Sequence, residues 1–137
     1  MLHRIILHLA RRKGFPEGSA RHGYEIVAPL DADGHLNFIE WCSRRLQCRV
    51  RRFWGADPDR WGVLVHRRGG AGGATWIIDY DADGTDDDEA GIHLDGRTFK
   101  VGEYVSVGDS SGAVNTFKVT EVTWRRSRAT RASIPTT

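Results

Sequence analysis

Cys48-Arg-Val-Arg-Arg-Phe-Trp54, Gly55-Ala-Asp-Pro-Asp59 and Arg60-Trp-Gly-Val-Leu-Val-His-Arg67 read as strand, turn and strand. The first segment alternates in part, and the second sets Trp61, Val63 and Val65 on one face. Gly, Asp and Pro between them are turn formers. Downstream the pattern repeats. Gly69-Gly-Ala-Gly-Gly73 links to residues 75–80, where Trp76, Ile78 and Tyr80 share a face. Residues 91–94 form a short strand, Asp95-Gly96 is a hairpin turn signal, and residues 98–101 continue the strand pattern. Residues 103–107 and 113–124 flank the turn Asp109-Ser-Ser-Gly112. Short strands at even spacing predict a mainly β fold, a small antiparallel barrel or closed meander.

Upstream, Met1-Leu-His-Arg-Ile-Ile-Leu-His-Leu alternates, with Ile5, Leu7 and Leu9 on one side and Arg4, Ile6 and His8 on the other. Its apolar part is short and is broken by His3, Arg4 and His8. It therefore reads as a strand rather than a signal peptide, which points to a cytoplasmic protein. Residues 11–23 carry three Gly and one Pro and read as a loop. Residues 24–30 follow as a strand, with Pro29 at an edge or terminus. Asp31-Ala-Asp-Gly34 is a turn. Residues 37–47 hold the one helical pattern: Asn37 suits an N-cap and Glu40 sits three residues on. Phe38, Ile39, Trp41, Cys42 and Leu46 recur at helical spacing, so this face is expected to plug the core.

A chain of 137 residues with 28% charged and 39% hydrophobic residues is long enough for one globular core. The expected domain is 1–124. Residues 125–137 are basic, hold one bulky apolar residue and are expected to be disordered. No apolar run approaches a membrane span, so no membrane partner is expected. Cys42 and Cys48 are too few for a disulfide scaffold and are read as two reduced thiols.

Charge is divided along the chain. Residues 1–69 carry 13 Lys and Arg against 7 Asp and Glu, which leaves +6. Residues 70–137 carry 7 against 11, which leaves −4. The negative excess is concentrated in Asp79-Tyr-Asp-Ala-Asp-Gly-Thr-Asp-Asp-Asp-Glu-Ala-Gly91, with seven carboxylates in 13 residues. Such a density is repulsive unless a cation sits among the carboxylates. Asp79, Asp81, Asp83 and Gly84 form the D-x-D-x-D-G opening of a calcium loop, and this part resembles an EF-hand loop over half its length. The resemblance implies Ca²⁺ or Mg²⁺ on Asp79, Asp81, Asp83 and Asp87. Asp86 stands where the loop expects an apolar residue and Ala90 where it expects a bidentate Glu, and neither flank is helical. The alternative is a solvated acidic hairpin tip. A second near-match runs from Pro29 to Glu40 through Asp31, Asp33, Gly34 and Asn37. Pro29 offers no ligand oxygen at the first position, so this segment reads as an Asx-turn connection.

Two further chemistries are open. Arg49, Arg51, Arg52, Trp54, Arg67 and Arg68 interleave with aromatics in the manner that grips single-stranded nucleic acid, cations on phosphate and rings on bases. The bland alternative is buried rings and solvated arginines. His66 and His93 would support a metal-dependent hydrolase if they converged with Asp79 and Asp81. The glycine-rich link 69–73 lacks the Lys and the helix of a phosphate loop. No catalytic motif is present. The sequence reading is a small non-enzymatic binding or interaction module whose acidic loop holds a divalent cation or a basic protein surface, with nucleic acid and metal hydrolysis as alternatives.

Overall fold

The computed structural model describes residues 2–67, 75–80, 92–94, 98–108 and 113–124. They form β1 (Leu2–Leu9), β2 (Ser19–Pro29), α1 (Phe38–Arg44), a 3₁₀ turn (Arg45–Gln47), β3 (Arg49–Trp54), β4 (Asp57–Arg67), β5 (Thr75–Tyr80), β6 (Ile92–Leu94), β7 (Tyr104–Gly108) and β8 (Val114–Trp124). The fold is mainly antiparallel β with one short helix, as the strand spacing predicts. Neighbours in sequence are neighbours in the sheet, and β8 pairs back onto β1. Seven strands, β7-β8-β1-β2-β3-β4-β5, make a continuous curled sheet. The three-residue β6 joins its free edges through three pairs to β5 and two to β7.

Alternation decides what lies inside. Ile5, Leu7 and Leu9 of β1 meet Tyr24, Ile26 and Ala28 of β2, Val50 of β3, Leu64 of β4, Ile78 and Tyr80 of β5, and Phe117 and Val119 of β8. Every buried side chain among the described residues is apolar or a tyrosine. Each large aliphatic or aromatic side chain withdrawn from water contributes about 1.5–3 kcal/mol. Three irregularities interrupt the ladders: the β1–β2 register shifts between His8 and Leu9, the β1–β8 register between Ile6 and Leu7, and the β3–β4 register between Arg52 and Trp54. Gly23 lies beside the first. A Cβ there would sit 1.8 Å from the Leu7 carbonyl oxygen, so only glycine permits the approach.

Asn37 caps α1, its Oδ1 accepting from the Glu40 amide at 3.1 Å. The predicted helix face is corrected by the structure. Trp41 is buried, but Ile39 and Leu46 are 77% and 89% exposed, Phe38 is exposed and so is Cys42. The helix has only seven residues and lies across one end of the barrel, so one side chain reaches in. Trp41 Nε1 donates to the Leu64 carbonyl at 3.0 Å, which satisfies its polar edge.

Three boundaries also differ from expectation. β2 begins at Ser19, inside the segment read as loop, because the β1 ladder extends to pair Leu9 with Ser19. The two-residue turn Gly55-Ala56 is tighter than the five-residue turn expected, and β4 starts at Asp57. Residues 98–101 are not strand. Instead the Phe99 amide donates to Gly34, whose positive φ of 88° shapes the 31–34 turn, and the Phe99 ring is buried.

Candidate functional site

Asp79 sits on β5 opposite Val63, between the inward-facing Ile78 and Tyr80, and so lies on the outer face, half-buried. Asp81, Asp83 and Asp87, the other expected cation ligands, lie outside the described residues, as does Arg68. Arg67 closes β4 opposite Thr75. His66 pairs with Trp76 on the inner side, whereas Asp79 is on the outer side. The ladder therefore does not bring His66 and Asp79 together. His66 instead packs among the rings of Phe38 at 4.4 Å, Trp76 at 4.6 Å and Trp41 at 6.0 Å. His93 pairs with Ile77, one position along β5 from the partner of His66.

The second acidic segment behaves as a turn. Asp31 Oδ1 accepts from the amides of Asp33 at 2.8 Å and His35 at 3.0 Å, and the Asp31 carbonyl accepts from Gly34. The hydrogen bond from the His35 amide is the main reason the Asp31 carboxyl stays below its ordinary range. Asp31, Asp33 and His35 lie within 4.8 Å of one another and are all exposed. These bonds are what an Asx turn needs, and exposed acidic groups of this kind are common without an ion.

The basic-aromatic residues divide between the two faces of the sheet. Arg49 and Arg51 point outward, opposite Val63 and Trp61, whereas Arg52 and Trp54 belong to the inner face. Arg51 is the middle of an ion-pair chain on the outer wall. Its Nε donates to Glu25 at 2.9 Å and its Nη1 to Asp59 at 3.0 Å. Glu25 also accepts from Arg4, which reaches Glu121 at 3.0 Å. A cleft of about 480 Å³ opens above this chain, lined in part by Ile6, His8, Arg21 and Phe53. Burial lowers the pKa of His8 there, against the opposing pull of Glu121.

At the opposite face of β3, Arg52 lies over the Trp54 ring at 4.3 Å and Arg60 over the Tyr80 ring at 4.0 Å. Strand patterning identifies Arg52 and Trp54 but not their association with Tyr24, Arg60 and Tyr80. Counting back from the Gly55-Ala56 turn, where Trp54 meets Asp57, would set Arg52 against Asp59. The bulge sets it against Arg60 instead. Comparison with known protein families, with curated proteins and with solved structures finds no match to this chain.

Proposed function

We propose that the protein is a small non-enzymatic binding module whose segment from Asp79 to Glu89 engages a divalent cation, Ca²⁺ or Mg²⁺, or a basic protein surface. The observation that supports this reading most is the run of seven carboxylates in 13 residues, which starts on β5 at the half-buried Asp79. Titration calorimetry with Ca²⁺ and with Mg²⁺ tests the cation arm. Binding should be lost on Asp81→Asn combined with Asp83→Asn, whereas equal binding by that variant removes the segment from consideration.

The Arg52–Trp54 and Arg60–Tyr80 pairs favour a second reading, single-stranded nucleic acid. Arg51 is already held by Glu25 and Asp59, so Arg52→Ala should weaken such binding more than Arg51→Ala. Affinity independent of salt would exclude it. Among the described residues no helix is long and apolar enough to cross a membrane. Two free cysteines are in keeping with a cytoplasmic setting.

A further inference from the structure

The outer wall at the β1–β2 connection carries charge that the ion-pair chain does not neutralise. Arg4 and Arg51 are held by Glu25, Glu121 and Asp59. Nearer the connection, Arg11, Arg12, Lys13, Arg21 and Lys118 are all exposed, and none has a carboxylate partner among the described residues. Arg11 donates to the Pro16 carbonyl and Arg12 to the Asn115 side-chain oxygen, and neither bond cancels a charge. A cleft of about 470 Å³ opens here, lined in part by His8, Arg11, Tyr104, Lys118 and Thr120. Among the described residues Glu17 is the one carboxylate on its lining. Burial foremost, against the pull of Glu121, holds His8 below its ordinary pKa, so the imidazole is neutral near pH 7 and adds no charge. Strand pairing brings a ring to the same cleft. Tyr104 of β7 is opposite Lys118 of β8, and Lys118 is opposite His8 of β1. Tyr104 is 53% exposed and meets no other ring among the described residues. Phe53 offers less, because Arg51 lies over it and His8 meets it edge-on.

We propose that this cleft is a contact surface for single-stranded nucleic acid, with the Tyr104 ring stacking on a base and Lys118, Arg21 and the cations of residues 11–13 taking phosphates. Adjacent strands lie about 4.8 Å apart, so Tyr104 and Lys118 are close enough to engage a base and a neighbouring phosphate together. A free ring beside uncompensated cations is the combination that holds single strands without reading their sequence. An acidic peptide would use the cations but has no need of the ring. The clustered carboxylates begin on β5, four strands from β1 in either direction around the sheet, so Asp79 stands away from the cleft. The inference rests on the nucleic-acid reading for its ligand but not for its residues, since Arg52 and Trp54 belong to the inner face and line no part of this cleft.

The test is fluorescence anisotropy of a labelled oligothymidylate of about ten nucleotides, within the site sizes of small β barrels, titrated with the full chain. The expected result is saturable binding that weakens as salt rises. Tyr104→Ala should weaken it about fivefold or more, the loss of one stacked base. Lys118→Gln should weaken it and lower the slope of log affinity against log salt by about 0.7, the share of one phosphate contact on a single strand. Both side chains are exposed, so both variants should melt with the parent, and lost affinity cannot then be ascribed to lost structure. Full affinity in Tyr104→Ala, or displacement of the oligonucleotide by oligoglutamate of equal charge, would overturn the proposal and assign the cleft to an acidic peptide. Full affinity in both variants with weak binding by Arg52→Ala would place the strand on the inner rim, so this proposal would fall while the nucleic-acid reading stood. No binding by the parent chain would end both.

Discussion

Glu25 accepts from Arg4 on one side and Arg51 on the other, and its side chain is only 21% exposed. Burial alone would raise its pKa, but the hydrogen bonds and charges of the two arginines outweigh burial and hold the carboxyl below its ordinary value. The depressed pKa makes ionised Glu25 stabilising above the pKa of the unfolded chain, near 4.3. That contribution is lost as pH falls through the lower folded value. Glu25→Gln should therefore cost about 1–2 kcal/mol at pH 7, within the range for hydrogen bonds to charged groups. It should cost progressively less in urea melts below about pH 4. A penalty independent of pH would contradict this account of the pair. The two thiols give a second test. Burial foremost, with Glu40 adding to it, pushes Cys48 up to about 11, while Cys42 is exposed. A thiol reagent should label one cysteine in the native protein and two in denaturant.

The helix shows what sequence reading reaches at the scale of an element and what it misses. Asn37 as cap and Glu40 in the first turn were legible because capping is local chemistry between residues three apart. The apolar face was not, because periodicity says which side chains share a side and not whether anything covers that side. Trp41 finds the barrel end, while Ile39 and Leu46 find solvent. Trp41→Ala should cost about 3–5 kcal/mol in a denaturant melt, as large cavities do. Leu46→Ser should change stability by less than about 0.5 kcal/mol. Similar costs for both would mean that the helix docks by its whole predicted face. Strand faces were more legible. Trp76, Ile78 and Tyr80 do share a side, and Ile5, Leu7 and Leu9 do point inward, because the two-residue period leaves little choice. The bulge between Arg52 and Trp54 was not legible. One extra residue on one strand has no local sequence mark, yet it exchanges an Arg–Asp pairing for an Arg–Arg one.

Across the molecule, a mainly β fold could be read from turn residues recurring between short alternating segments. Charge asymmetry along the chain did not foretell how charge is placed in space. Arginines adjacent in sequence part company across the sheet: Arg51 joins the outer chain with Glu25, Arg4, Glu121 and Asp59, and Arg52 goes to the inner rim. Within the nucleic-acid set of Arg49, Arg51, Arg52, Trp54, Arg67 and Arg68, Arg49 and Arg51 thus lie on the opposite face of β3 from Arg52 and Trp54. Of the cation set Asp79, Asp81, Asp83 and Asp87, Asp79 is anchored in β5. The loop pattern has an electrostatic reason to bind a cation, since seven carboxylates this close in sequence repel one another when ionised.

A thermal melt of the chain in excess EDTA, repeated with about 1 mM free Ca²⁺ or Mg²⁺, tests the central claim most directly. A cation held with a dissociation constant near 10 μM should add about 2.7 kcal/mol and raise Tm by several degrees. The rise should vanish in Asp81→Asn combined with Asp83→Asn. An unchanged Tm in all three conditions would contradict cation binding and leave residues 79–89 as a surface for a basic partner or as a solvated tip.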